Sequence, residues 1–190
     1  AASYMSGGGY GYTITRTGAT WRPDGHSFDG VNNRLLVSSA INVATEGTFE
    51  ATIKLDATGA STNILWANSW ATDQLCAVNF ADGQANWYFY VTTYLRVRVA
   101  ITLTVGKFYH IAFTWKDAAV TRIAYLNGNA GAQDTTGAYI YFGPQHYIGC
   151  RSLTDFYNGV VSEVIILNRF CSATEILEHY IEAKRRMPWL

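Results

Sequence analysis

The stretch FYNGVVSEVIILNRFCSATEI, residues 156–176, changes from the pattern of a β-strand to that of an α-helix within a few residues. Its first half is an apolar run with a single acid, Glu163, in the middle, which is typical of a largely buried strand. Its second half contains the capping box SATE at residues 172–175, in which the serine hydroxyl and the glutamate carboxylate each accept from the other residue's backbone amide. The stretch therefore predicts a strand over residues 160–167 and a helix that begins after Ser172.

The predicted C-terminal helix has a narrow apolar stripe and a defined end. Ile176, Leu177, Tyr180 and Ile181 recur at helical spacing, and Pro188 cannot continue a helix. The basic run KRR shortly before this proline is interpreted as favourable charge at a helix C-terminus rather than as a nucleic-acid contact. We expect the helix to lie against an edge of a β-sandwich.

The rest of the chain alternates apolar and polar residues with the period of two that a half-buried strand requires. In TFEATIKL, residues 48–55, the apolar side chains share one face, and Glu50, Thr52 and Lys54 share the other. The pairs Asp82-Gly83 and Asn127-Gly128 are strong turn signals between such segments. Further strands are predicted over residues 75–80, 87–91, 95–101, 109–115 and 122–126. Together these patterns predict an all-β fold, a two-sheet antiparallel sandwich with one C-terminal α-helix.

Length, charge and cysteine usage limit the classes of function. A chain of 190 residues fits one domain, which we divide into a Gly/Tyr-rich arm (residues 1–20) and a sandwich domain (residues 21–190). Its 14 basic and 14 acidic residues cancel, which argues against nucleic acid as a partner. No apolar run approaches the length of a membrane span. The three cysteines, Cys76, Cys150 and Cys171, have neither disulfide-framework nor zinc-knuckle spacing and are interpreted as buried free thiols.

The arm, rich in Gly, Ser, Thr and Tyr, has two possible packing partners. It can add an edge strand to its own sheet, or it can lie across a neighbouring subunit of a homo-oligomer or virion assembly. The sequence leaves both possibilities open.

Six segments, in this order along the chain, resemble those of the laminin-G-like, concanavalin-A-type jelly-roll superfamily, which includes pentraxins and many bacterial and phage adhesion modules. They are SFDGVNNRLLV (27–37), TFEATIKL (48–55), GKFYHIAFTW (106–115), AYLNGNA (124–130), YIGCR (147–151) and FYNGVVSEVIILNRFCSATEI (156–176). The resemblance implies a curved jelly-roll sandwich that binds ligands at its loop edges or on its concave face.

The resemblance also suggests calcium as a cofactor. Asp29 matches a position rich in acids, although it is equally suited to a turn. Ser162 stands where the family usually has an aspartate before the glutamate of the penultimate strand, so one hard anionic ligand is missing. We therefore assign no cofactor and no metal ligand. The family often has a histidine at the position of His110, which we interpret as a structural core histidine.

Catalysis by a pair of carboxylates is not expected. Related jelly-roll β-glucanases use one acid as general acid and another as nucleophile, and two acids on one strand share a face only when they are two residues apart. No two of the 14 acidic residues have that spacing, so Glu163 is interpreted as a strand-face residue. The histidines form no metal-spaced pair, and no phosphate-binding glycine loop is recognisable. We predict that the chain is not an enzyme, and we assign no catalytic residue.

The candidate ligand-binding residues are outward aromatic and basic side chains. In ANWYFYVTTYLRVRVAI, residues 85–101, Tyr88 and Tyr90 are expected to face outward, across a tight turn from Arg96 and Arg98. Such a ladder can stack a sugar ring or hold a partner through cation–π and bidentate contacts. Alternatively, it stabilises a solvent-facing sheet and does nothing else.

Three further candidates are expected in loops. Trp70, beside Thr72 and Asp73, is a candidate exposed anchor. Arg151 and Asp155 match a rim at which members of the family often bind ligands, or they form an ion pair within their own loop.

These features predict a non-catalytic recognition or adhesion module that binds a glycan or a protein surface. The alternative is a structural component of a larger assembly, such as a phage virion surface or decoration protein. No intact signal peptide is visible, so the localisation stays open between an extracellular surface and a virion surface.

Overall fold

The computed structural model describes residues 2–5, 13–37, 45–57, 64–69, 75–80, 82–90, 94–116, 121–134, 146–151 and 153–190. Within these ranges the chain forms fifteen β-strands and one α-helix. The elements are β1 (Ala2–Met5), β2 (Thr13–Thr17), β3 (Thr20–Arg22), β4 (Gly25–Asp29), β5 (Arg34–Val37), β6 (Glu46–Leu55), β7 (Ile64–Ser69), β8 (Leu75–Asn79), β9 (Asn86–Tyr90), β10 (Tyr94–Arg98), β11 (Phe108–Lys116), β12 (Thr121–Leu126), β13 (Asn129–Asp134), β14 (His146–Ile148), β15 (Asn158–Leu167) and α1 (Ala173–Arg186).

The strands form two antiparallel sheets. Sheet A has eight strands in the order β1-β2-β5-β14-β7-β8-β9-β10, and sheet B has seven in the order β13-β12-β11-β6-β15-β4-β3. Strands distant in sequence are neighbours in both sheets; β6, for example, lies between β11 and β15. The predicted fold class, an all-β sandwich with one C-terminal helix, is confirmed.

Large aromatic side chains join the two sheets. Phe49 of sheet B stacks on Trp66 of sheet A with ring centroids 4.6 Å apart, and Trp87 of sheet A stacks on Phe113 of sheet B at 5.8 Å. All four are fully buried. Burying an aromatic side chain removes 150–250 Å² from water, so each contributes at most roughly 4–6 kcal/mol before the entropy of ordering is counted.

Two predicted turns and one predicted strand end can be compared directly with the structure. Asn127 and Gly128, both at positive φ (49° and 76°), connect β12 to β13 as a two-residue hairpin. Gly83, at φ 74°, lies in the turn between β8 and β9. The strand predicted over residues 95–101 was too long at its end, because β10 stops at Arg98 and Ile101 beyond it is 55% exposed.

Part of the predicted N-terminal arm belongs to sheet A of its own chain. β2 pairs with β5 and β1 pairs with β2. Ile14 on β2 packs against the core between the sheets, and Ala19 is buried in that core. β3 begins at Thr20 and extends sheet B. The described part of the arm therefore lies on the sandwich rather than away from it.

Helix α1 begins as predicted. The backbone amide of Ser172 donates to Oε2 of Glu175 at 2.8 Å, and the amide of Glu175 donates to Oγ of Ser172 at 3.3 Å, which confirms the capping box. The three basic residues at positions 184–186 lie in the last turn. Among the described residues, no helix has the length and apolar character needed to cross a membrane.

The position of α1 differs from the prediction, because the helix covers the outer face of sheet B instead of lying at an edge. Ile176 is fully buried with Ala112, Tyr125 and Cys171 in a cluster outside the main core. Leu177, predicted to belong to the buried stripe, is 42% exposed. The buried side of the helix carries polar residues as well, so the apolar stripe alone misplaced its orientation.

The same correction applies to the polar face of β6. Glu50 and Thr52, which the alternation placed on the face opposite the apolar residues, are each 1% exposed because α1 lies over this face. Thr48 on this face accepts from the amide of Cys171 at 3.0 Å and donates to the carbonyl of Arg169 at 2.8 Å. These bonds fix the segment that leads into the helix.

Candidate binding face

Seven residues form one row across the outer face of sheet A, and we call them the Tyr88 row. Strand register places each member opposite the next in the order Thr15, Leu36, Tyr147, Ala67, Ala77, Tyr88 and Arg96. The adjacent row, one residue along each strand, includes Trp66, Val78, Trp87 and Val97, all buried in the core. Because side chains alternate along a strand, the Tyr88 row faces away from the core.

Two tyrosines of this row stand on either side of two alanines. Tyr147 and Tyr88 are separated by three strand spacings, or roughly 14 Å at about 4.8 Å per strand. Both are half-buried. Ala67, between them, is fully buried, and alanine has no atoms beyond Cβ to project from the sheet. The row therefore has two partly exposed tyrosines on either side of two small residues, of which Ala67 has no exposed surface.

Basic charge lies at the β10 end of the row. Arg96 is opposite Tyr88, and Arg98 lies two residues further along the same face. Their guanidinium groups are 3.8 Å and 3.5 Å from Oδ2 of Asp82, with about two fifths of each side chain exposed. Oδ1 of Asp82 accepts from Nδ2 of Asn86 at 2.6 Å and from the amide of Gln84 at 3.1 Å. One carboxylate thus faces two cations and leaves a positive excess.

The predicted relation between Tyr88, Arg96 and Arg98 therefore agrees with the structure, whereas two other candidates lie outside its description. The backbone of Tyr90 is part of β9 opposite Tyr94, but its side chain is not among the described ones. Trp70 is outside the described residues altogether. Both remain predictions.

Arg151 and Asp155 form an ion pair within their own loop, one of the two alternatives for this pair. Backbone bonds of 2.9 Å and 2.8 Å between Arg151 and Thr154 close the loop, and Leu153 and Asp155 both have positive φ (80° and 55°). The loop follows β14 at the end of sheet A where Arg98 pairs with Asn86. Four strand spacings, roughly 19 Å, separate β14 from β10, so the pair is at the rim of the same sheet.

The two residues considered for calcium do not share a site. Burial acts to raise the pKa of Asp29, but amides of Val31 and Asn32 donate to its carboxylate at 2.9 Å and 3.2 Å and lower the pKa overall. Asp29 is opposite Asn158, whereas Ser162 donates to the carbonyl of Asp24. Four residues along β15 separate the two places, or roughly 13 Å. Asp29 therefore stabilises the turn after β4 by accepting these two hydrogen bonds.

Glu163 is engaged by the helix. It lies on the outer face of β15 and accepts two bonds from Arg186, at 3.0 Å and 3.1 Å. Glu50 is its diagonal neighbour across β6, at a Cβ separation of roughly 7–8 Å. The sequence did not suggest that these two acids are neighbours. Glu50, however, is buried under α1, and the Glu163 carboxylate is already paired with Arg186.

A buried network that sequence reasoning missed surrounds Glu50. Oε2 of Glu50 is 3.1 Å from Nε2 of His110, and Oε1 is 2.7 Å from Nδ1 of His179. The first contact agrees with a structural role for His110, which is 3% exposed. Only the alternation of TFEATIKL was available as a signal, and it indicated the wrong environment for the glutamate.

Two of the three cysteines are described, and both are buried free thiols, as predicted. Burial raises the pKa of Cys150 and of Cys171. The side chain of Cys76 is outside the described ones.

The two-sheet antiparallel sandwich agrees with a comparison of the chain with protein families. Residues 29–177 match the family Laminin_G_3, described as the concanavalin A-like lectin/glucanases superfamily. The chain belongs to this family. A search of curated proteins finds no match.

Several solved structures share the fold. A heptameric SAP-like pentraxin from Limulus polyphemus has 16% identity and a TM-score of 0.62, covering 80% of this chain and 78% of the pentraxin. Domain 4 of AbnA, a GH43 extracellular arabinanase from Geobacillus stearothermophilus, in complex with arabinotriose, has 12% identity and a TM-score of 0.73, covering 86% and 80%. The receptor-binding domain of botulinum neurotoxin C/D mosaic serotype has 12% identity and a TM-score of 0.72, covering 92% and 47%. At these identities the likeness concerns the fold.

Proposed function

We propose that this chain is a non-catalytic recognition module that binds a glycan on the outer face of sheet A. Tyr88 supplies a ring on which a sugar stacks, and Arg96 and Arg98 supply hydrogen bonds and charge. The observation that carries the proposal is the register that sets Tyr88 and Tyr147 on either side of two alanines and beside Arg96.

This arrangement suits a sugar because tyrosine combines an apolar ring with a polar tip. A pyranose has the same division between C–H faces and hydroxyl edges. A sugar can stack on the partly exposed ring of Tyr88 near the end of the row. Arginines at the end of the row bind the hydroxyl or carboxylate oxygens of a ring held there.

The charge of the face favours an acidic saccharide. Arg96 and Arg98 approach one carboxylate, Asp82, at distances of 3.8 Å and 3.5 Å, which are long for strong ion pairs. A ligand carboxylate can therefore approach the guanidinium groups without first breaking a short bidentate pair. We expect uronic acids or sialylated sugars to bind more tightly than neutral ones.

The likeness to AbnA domain 4, whose structure contains arabinotriose, supports carbohydrate as the ligand class to test first. The assembly alternative rested partly on an arm free to cover a neighbour. β2 of the arm pairs with β5 of the same chain, so this part of the arm packs in its own sheet rather than across a neighbour. This favours the recognition module. The arrangement around Glu163 also favours a non-catalytic role, since Arg186 and the helix occupy the carboxylate.

The test is a glycan array that contains neutral, uronic-acid-bearing and sialylated oligosaccharides, followed by calorimetry with the best ligand. Tyr88→Ala is expected to weaken binding about tenfold or more, the loss typical of a central aromatic contact. Tyr88→Phe retains the ring and should bind within a few-fold of the unaltered chain. Arg96→Ala should weaken acidic ligands more than neutral ones.

Arg185→Ala is the matched control, because Arg185 is an exposed arginine on α1 with a side chain 75% exposed. It should leave glycan affinity unchanged. Equal binding by Tyr88→Ala and the unaltered chain would reject the outer face of sheet A as the site. Binding that depends on Tyr88 but not on charge would retain the site and reject the preference for acidic sugars.

A further inference from the structure

Three side chains with different metal-binding atoms meet between sheet B and α1. Glu50 comes from β6, Cys171 from the segment before the helix and His179 from the helix. One carboxylate oxygen, the thiol sulfur and one imidazole nitrogen all lie within 4.8 Å of one another. We propose that Glu50, Cys171 and His179 bind a zinc ion that fastens α1 to the sheet.

The donor set and its dimensions fit zinc. Zinc takes sulfur, nitrogen and oxygen ligands in a tetrahedron at about 2.3, 2.0–2.1 and 2.0–2.2 Å, so ligand atoms around it are roughly 3.3–3.6 Å apart. In the structure, Oε1 of Glu50 and Nδ1 of His179 are 2.7 Å apart, and the sulfur of Cys171 lies within 4.8 Å of a carboxylate oxygen and an imidazole nitrogen of these two residues. Shifts of about an ångström would bring the three atoms to coordination distance. Calcium and magnesium, which require oxygen ligands, do not suit a thiol.

Charge balance also favours a cation here. Glu50 is 1% exposed, and a buried carboxylate needs a compensating charge. A carboxylate, a thiolate and a neutral imidazole sum to two negative charges, which a divalent ion cancels. The thiol proton passes to solvent when zinc binds. His179 binds zinc as the neutral tautomer whose single proton is on Nε2, with the lone pair of Nδ1 directed at the ion, so this ligand releases no proton.

Neighbouring groups already support such a site. Nε2 of His110 is 3.1 Å from the second oxygen of Glu50, which orients the carboxylate as outer groups commonly do around zinc ligands. The amide of Cys171 is held by Thr48 at 3.0 Å, which fixes the backbone that carries the sulfur. The side chain of His179 is 34% exposed, so an ion can enter from solvent and water can take the fourth position.

If hydrogen bonds alone held α1 to the sheet, Glu50, His110 and His179 would make the same contacts without a metal. Only the zinc site requires Cys171, so this residue distinguishes the two explanations. The test is titration of the chelator-treated full chain with cobalt(II), a spectroscopic substitute for zinc. A bound thiolate gives a sulfur-to-cobalt charge-transfer band in the near ultraviolet. We expect one ion per chain, the charge-transfer band, and displacement of cobalt by zinc.

Cys171→Ser should abolish the band, whereas Cys150→Ser should retain it, because Cys150 is also a buried free thiol but lies at the other sheet. His110→Gln should weaken zinc binding about 10–100-fold without removing the band, the usual effect of losing an outer partner. Zinc should raise the Tm of the unaltered chain and of Cys150→Ser. Binding should strengthen with rising pH, because the Cys171 thiol must lose its proton to bind zinc.

Should Cys171→Ser fail to fold, His179→Gln replaces it, since this side chain is partly exposed and its loss leaves the thiol in place. That variant should bind cobalt at least about tenfold more weakly. The proposal is overturned if the folded unaltered chain binds no cobalt, if the band persists in Cys171→Ser, or if His179→Gln binds as tightly as the unaltered chain. Glycan binding should be unaffected by chelator, because its proposed site is on the other sheet.

Discussion

Acid is expected to destabilise this protein through His146, a histidine that the fold keeps neutral. His146 lies on β14 with no exposed surface, and its ring stacks against Trp66 at a centroid distance of 5.9 Å. Burial lowers the pKa of His146 from 6.5 to about 4. In the unfolded chain the same imidazole is expected to titrate near 6.5. The unfolded state therefore binds the proton first as the pH falls.

The sign and size of the effect follow from this difference. Well above the unfolded pKa of about 6.5 both states are neutral, and His146 contributes nothing to the pH dependence. As the pH falls from 6.5 toward 4, the free energy of unfolding decreases by about 1.4 kcal/mol at about pH 5.5 and about 2.6 kcal/mol at about pH 4.5. The full difference, reached below the folded pKa, is about 3.4 kcal/mol.

The assay is urea unfolding of the unaltered chain and of His146→Gln at several pH values between about 7.5 and 4.5. The variant cannot take up a proton at this position. Its free energy of unfolding should therefore fall less than that of the unaltered chain as the pH decreases, and the difference between the two should equal the amounts given above. Its lower stability at neutral pH, from lost packing, does not affect the comparison of slopes. His26→Gln is a comparator: burial, then Arg16, lower the pKa of His26, but the side chain is only half-buried. Equal slopes for the unaltered chain and His146→Gln would refute the reasoning.

Two further predictions concern how α1 is held. Ile176→Ala should lower the free energy of unfolding by about 2–4 kcal/mol, because the side chain is fully buried and its loss leaves a cavity. Leu177→Ala, at a neighbouring position that is 42% exposed, should lower it by less than about 1 kcal/mol. Equal losses for the two variants in chemical unfolding would contradict the burial of one helix face. A double-mutant cycle of Glu163→Ala and Arg186→Ala should give a coupling of about 0.5–1 kcal/mol that declines with salt, since the side chains are 28% and 49% exposed. A coupling of zero would mean that the bidentate pair does not anchor the helix.

Local patterns were sufficient to predict seven of the fifteen strands that the described residues form. The alternation in TFEATIKL corresponds to β6 (Glu46–Leu55), and the turn pair Asn127-Gly128 corresponds to the hairpin between β12 and β13. The capping box also predicted where α1 begins. These features depend on residues close in sequence, whose side-chain periodicity and backbone preferences are readable without knowing the partner.

The environment of the polar strand face was not predictable in the same way. Glu50 alternates with apolar residues as a solvent-facing residue would, yet His110 and His179, distant in sequence, complete its buried surroundings. A period of two separates the two faces of a strand but does not say which face is covered. Nor did the apolar stripe orient α1, because the helix also contacts sheet B through polar pairs, His179 with Glu50 and Arg186 with Glu163.

For the candidate binding face, the sequence predicted that Tyr88 lies across from Arg96 and Arg98, because their segments are separated by few residues along the chain. It did not predict Tyr147 as a partner of Tyr88. Those residues meet only through the order β14-β7-β8-β9, in which β14 enters from far along the chain. Such non-local strand order is not encoded in any one segment.

The use of the two outer faces explains why ligand binding is proposed on sheet A. On sheet B, α1 covers Glu50 and His110, and Glu163 is paired with Arg186. A ligand on that face would have to displace the helix and leave the Glu50 carboxylate without its His179 partner, and breaking a buried pair in this way costs about 3–5 kcal/mol. That cost would remove roughly two to four orders of magnitude from the affinity. The Tyr88 row needs no such displacement of α1, so a weak sugar ligand is expected to bind there.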